Sequence, residues 1–151
     1  MKTRKLWAAL ALTVAATGVA PASPAHAADG LDSVRVYYPS DLGNGGHVLT
    51  RLDFVSRTEV VYRSFTVRDV CPGDSLPVRG RVEWRYTDGS IGYGAWRNVT
   101  SGCSSSGTSF GDIRVSRTKA IASARVTVCV YTASGGNRGC ATSTGRDNQF
   151  S

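Results

Sequence analysis

Beyond residue 32 the chain alternates apolar and polar positions with a period of two, broken at short intervals by Gly, Asn, Asp, Ser and Pro. Such a pattern predicts half-buried strands joined by tight turns. Ser33 to Tyr38 reads as a first strand, with Val34, Val36 and Tyr38 on one face. Val48 to Val55 and Val60 to Val70 form a second and a third, joined through Arg57-Thr58-Glu59. Arg63 interrupts the apolar run of the third, which places one face of that strand in water. Val78 to Tyr86, Ile91 to Val99 and Phe110 to Val115 follow. Ile121 to Thr132 alternates most cleanly: Ala122, Ala124, Val126, Val128 and Val130 share one face, and Arg125, Thr127, Cys129 and Tyr131 share the other. Arg138 to Thr144 returns after Ser134-Gly135-Gly136-Asn137, and Gly145 to Ser151 reads as a polar tail. Seven or eight short strands without a helical period predict an all-β fold: a small antiparallel β-sandwich, immunoglobulin-like, or a small barrel.

The central expectation is the hairpin between Cys71 and Cys103. Asp88-Gly89 between two alternating runs predicts a two-residue type I′ turn, because both central positions need positive φ. That turn pairs Trp84 with Tyr93, Tyr86 with Ile91 and Val82 with Ala95 on an inner face. It pairs Arg81 with Trp96, Glu83 with Gly94 and Arg85 with Gly92 on an outer one. Two glycines opposite Glu83 and Arg85 would leave a flat strip open to another backbone or a sugar ring. Arg81, Glu83, Arg85, Gly92, Gly94 and Trp96 are therefore the expected partner-binding residues, since Trp and Arg are the side chains that most often anchor interfaces.

The first residues change the compartment. Lys2, Arg4 and Lys5 precede an apolar run from Leu6 to Val19, and Ala25-His26-Ala27 ends the segment as a cleavage site does. The expectation is a signal peptide over 1–27 and one secreted, extracellular domain over 28–151, beginning with a loose terminus, Ala28 to Asp32. Removing three leader cations and no acid lowers the formal charge from +7 to +4. The remaining arginines are dispersed among the strands rather than gathered in a stripe. This argues against nucleic acid as partner, and no later stretch is apolar enough to engage a membrane. All four cysteines lie in the exported part, where an even count implies disulfides. Of the three connectivities, hairpin geometry favours Cys71–Cys103 and Cys129–Cys140, each pair flanking one turn.

Candidate chemistry is sparse. His47 lies in a predicted glycine-rich loop, Glu59 and Glu83 are the only glutamates, and Asp74-Ser75 follows Cys71. No flanking motif joins them into a catalytic set. One imidazole and no Cys-x-x-Cys spacing make zinc improbable, and no cofactor is expected. Asn98-Val99-Thr100 fits the glycosylation pattern but carries little weight behind a bacterial-type leader.

Two resemblances add to this reading. Trp84-Arg85-Tyr86 in a disulfide-closed segment is similar to the small secreted Streptomyces α-amylase inhibitors, two-disulfide β-sandwiches that present such a tripeptide to the enzyme cleft. Here the tripeptide lies mid-strand with Trp84 and Tyr86 inward, whereas that family exposes it near a turn. Arg-Val-Thr-Val-Cys-Val-Tyr (125–131) with its short loop to Gly139-Cys140 resembles small secreted actinobacterial β-proteins, among them the adaptor subunits of umbrella toxin particles. That likeness implies an adaptor joining other subunits. The sequence thus predicts a secreted, non-enzymatic module whose partner is another secreted protein, a toxin-complex subunit or a hydrolase. A hydrolase inhibitor and a carbohydrate-binding domain, with Trp96 beside Tyr37 or Tyr131, are the alternatives.

Overall fold

A computed structural model describes residues 29–38, 45–70, 76–99, 102–103, 106–132 and 134–151. Among these the chain is all-β. Eleven strands run in order: β1 Gly30–Tyr37, β2 Gly45–Ser56, β3 Glu59–Val70, β4 Val78–Tyr86, β5 Ile91–Tyr93, β6 Arg97–Val99, β7 Thr108–Ser109, β8 Ile113–Ser116, β9 Ile121–Tyr131, β10 Asn137–Thr142 and β11 Arg146–Asp147. They form two antiparallel sheets. The first has the order β1-β2-β3, with β7 and β8 both pairing β3. The second has β9 and β4 at its centre, with β10 and β11 on the outer side of β9 and β5 and β6 on the outer side of β4.

The alternation decides what faces inward. Val48, Leu52 and Phe54 of β2, Val60, Tyr62, Phe65 and Val67 of β3, and Val78, Val82 and Trp84 of β4 are buried. They meet Ala124, Val126, Val128 and Val130 of β9 in one apolar core. Gly80 marks a close approach of the sheets: a Cβ there would lie 2.5 Å from Val48 Cγ2 and 2.9 Å from Val67 Cγ2. One polar tie crosses the core, where the buried Tyr62 hydroxyl donates to the Glu83 carbonyl at 2.5 Å.

Several sequence expectations shift. Gly30 to Asp32 is not a loose terminus but the start of β1, paired with Leu52 to Thr50, and the Asp29 carboxylate accepts from the Phe54 amide. Gly45 and Gly46 belong to β2 rather than to a loop. Phe110 to Val115 is not one strand. Only Ile113 to Val115 of it is strand, in β8; Phe110 and Gly111, which follow β7, are tied to Phe65 by reciprocal backbone bonds of 2.8 Å. The tail is anchored: Asn148 is buried, and its amide nitrogen donates to the Ser56 and Ile121 carbonyls at 3.0 and 2.9 Å.

Cys129 and Cys140 face each other in the β9–β10 register and form a disulfide with a Cα separation of 4.1 Å. It lies on the outer side of the sheet, as the pattern of β9 predicts. Chain-entropy arithmetic for a loop of this size gives about 3 kcal/mol. Cys71 lies outside the described residues, and with it the expected Cys71–Cys103 bridge. Asp74-Ser75, Thr100 and the leader also lie outside them.

Candidate functional site

The outer face of the second sheet is set by the hairpin after β4, and here the turn differs from expectation. The Gly89 amide donates to the Tyr86 carbonyl and the Tyr86 amide to the Ser90 carbonyl, both at 2.9 Å, with Gly89 at φ +84°. Thr87, Asp88 and Gly89 thus form a three-residue loop ending in a left-handed glycine, not a two-residue turn. Asp88 stiffens it by accepting from the Ser90 amide and from Lys119 Nζ, each at 2.9 Å. Those partners hold its carboxyl well below the usual carboxylate range, the Ser90 side chain foremost.

One extra loop residue slips β5 by one place, and a one-residue slip reverses every side chain on the strand. Glu83 pairs with Tyr93, Trp84 with Gly92 and Arg85 with Ile91. Gly92 and Gly94 consequently face inward and do not form an outer strip: Cβ atoms there would lie 2.2 Å from the Trp84 ring and 2.6 Å from Val82. Tyr93, expected in the core, is half exposed on the outer face. The slip is then undone. Between Tyr93 and Arg97 the returning chain carries one residue more than β4 does between Glu83 and Gly80, a bulge that restores the expected pairing of β6 with β4. Trp96 stays outside.

The result is a ladder of rings and guanidinium groups. Arg79 stacks on Tyr131 and on Trp96, each at 4.7 Å from the ring centroid. Arg81 stacks on Trp96 at 4.5 Å and on Tyr93 at 4.1 Å. Each cation is also held from the side. Arg79 Nε donates to Asn137 Oδ1 at 3.1 Å and its Nη2 to the Gly135 carbonyl at 3.1 Å. Arg81 Nε and Nη2 both reach Glu83 Oε1, at 3.0 and 2.9 Å. Glu83 is almost fully buried and accepts further from Arg125 Nε at 3.0 Å and Thr127 Oγ1 at 2.7 Å. A carboxylate with this many donors fixes the guanidinium positions before any partner arrives. Arg85 extends the face into solvent without an ion-pair partner among the described residues. Four arginines against one carboxylate leave the face positive.

Of the expected residues, the structure brings Arg81, Glu83, Arg85 and Trp96 together and removes Gly92 and Gly94. Tyr131, named in the sequence reading only as a possible stacking neighbour of Trp96, joins them through Arg79, while Arg79 and Tyr93 were missed. Arg79 continues the outward series Arg81, Glu83, Arg85 by two residues, a signal present in the sequence. Trp84 is sealed in the core with its ring against Tyr86 and Arg117, so of Trp84-Arg85-Tyr86 only Arg85 is exposed.

The other candidates separate. His47 lies on β2, on the outer face of the opposite sheet, while Glu83 is on β4 and Glu59 pairs with Arg114. Burial, then Arg35 and Arg68, lower the His47 pKa. Tyr37 shares that opposite face and is not beside Trp96. On the same face β3 carries a bulge where Ser64 adopts φ +51°, its amide held by Asp112 Oδ1 at 2.9 Å. No group of three or more His, Cys, Asp or Glu side chains among the described residues is arranged to hold a metal ion.

Comparison with protein-family models, with curated proteins and with solved structures gives no match.

Proposed function

We propose that this protein is a secreted, non-enzymatic β-sandwich module that docks onto another extracellular protein through the outer face of its second sheet. The carrying observation is the ladder Tyr131–Arg79–Trp96–Arg81–Tyr93, locked by Glu83 and Asn137. Trp, Tyr and Arg are the residues in which interface energy concentrates, and rigidly held side chains lose little freedom on binding. The excess of arginine favours a partner with an acidic surface, whose capture weakens as salt rises. The leader pattern and the Cys129–Cys140 bridge support export. An adaptor role, in the manner of the toxin-particle subunits that the 125–131 segment resembles, is the specific form of this reading.

The test is recovery of partners from culture medium on the immobilised protein, with Tyr93→Ala, Trp96→Ala and Arg85→Ala compared against wild type. Loss of one acidic partner in the ring variants supports the reading. Undiminished recovery in all three removes this face from consideration. Inhibition of an amylase or protease panel by the wild type, unaltered by these variants, would favour the hydrolase inhibitor instead.

A further inference from the structure

We propose that the outer face of the first sheet binds an oxyanion, a carboxylate, phosphate or sulfate group carried by a ligand, across Arg35, His47 and Arg68. The three residues form one row over three strands: Arg35 of β1 is directly opposite His47 of β2, and His47 directly opposite Arg68 of β3. Neighbouring strands lie about 5 Å apart, so two guanidinium groups flank one imidazole within the reach of a single tetrahedral or planar anion.

Arg35 and Arg68 sit one strand to either side of His47, so two positive charges converge on the imidazole. Elsewhere on this sheet Arg63 pairs with Asp53 and Asp112, and Arg114 with Glu59, while Arg51 has no acid partner among the described residues. Among the described residues Arg35 and Arg68 have none. Arg35 is oriented instead by Tyr37, donating to its hydroxyl at 3.1 Å.

The second observation is unmet hydrogen bonding. His47 Nδ1 and Arg68 Nε are both buried atoms without a hydrogen-bond partner among the described residues. Such atoms cost free energy unless a ligand or water satisfies them, and two in adjacent residues of one row point to a shared occupant. Gly107 packs on the stem of Arg68, where a Cβ would lie 2.1 Å from Cγ. With its pKa lowered, the imidazole is neutral at neutral pH and offers an N–H without adding a third charge. A bound oxyanion would favour the imidazolium and raise that pKa.

This site is on the opposite sheet from the aromatic ladder and does not depend on the docking reading. The test is an NMR titration of the His47 imidazole, its signal assigned by loss in His47→Gln. It is run in chloride, acetate, phosphate and sulfate at matched ionic strength. At least one oxyanion should raise the His47 pKa by about one unit and saturate, which chloride should not do. Acetate acting alone identifies a carboxylate ligand; phosphate or sulfate acting alone identifies those groups. Arg35→Gln, at an exposed position, should weaken the response about tenfold, as should Arg68→Gln. One pKa in all four salts, or a response that survives both substitutions together, overturns the assignment.

Discussion

Gly92 and Trp84 are cross-strand partners, and the indole occupies the space into which a Gly92 side chain would project. The Trp84 ring can lie flat against β5 only because that strand offers bare backbone there. Gly92→Ala should therefore displace the ring and destabilise the protein by about 1–3 kcal/mol, the usual cost of overfilling a packed site. Urea unfolding followed by tryptophan fluorescence measures it; a midpoint within error of wild type would show that the strand yields freely.

The same pair shows how far the sequence could be read. The strands of the core were legible because burial of one face imposes strict alternation: Val126, Val128 and Val130 fall inward as their spacing requires. Cys129 and Cys140 were legible because they flank one turn. The face of β5 was not. Asp88-Gly89 suits a two-residue turn and equally the end of a three-residue loop, and the choice between them reverses Gly92, Tyr93 and Gly94. Trp96 was nevertheless placed outside, since the bulge before it cancels the slip. The bulge has no local signature, because it is set by the pairing of Arg97 to Val99 with β4.

Glu83 links both halves of the candidate face. Glu83→Ala leaves Arg81 and Arg125 without their carboxylate and Thr127 without its acceptor, and should cost about 3 kcal/mol, the lower end for a broken buried pair because both arginines keep some solvent. Glu83→Gln, which keeps the shape, should cost less. In both variants partner capture should fall further than in Arg85→Ala, because the ladder loses its lateral support. Denaturation midpoints and capture assays on the same samples separate the two effects.

Ser64 holds a left-handed conformation that side chains disfavour by about 1–2 kcal/mol. Ser64→Gly should be stabilising by up to about 1 kcal/mol, and Ser64→Val should be clearly destabilising. Thermal melting of the two variants reads the difference. Equal melting temperatures would mean that the bulge relaxes when the residue changes.

Asp32 is buried beside Ser143, whose hydroxyl donates to it at 2.6 Å. Burial raises its pKa, outweighing Ser143 and Arg146. Because the folded value lies above the unfolded one, the contribution to stability is complete below the unfolded pKa and is lost as pH rises through the folded value. The stability of Asp32→Asn relative to wild type should accordingly improve from about pH 3 to pH 7. Urea titrations at several pH values test this, and a difference that does not vary with pH would exclude it.

Asn148 touches the turn between β2 and β3 through Ser56 and the first residue of β9 through Ile121, so one amide seals the seam between the sheets at that end. A nascent chain halted before residue 148 could assemble both sheets and still leave four carbonyls, those of Ser56, Arg57, Ile121 and Ala122, without the donors that this residue supplies. Completion of the fold is thereby postponed until residue 148 has arrived.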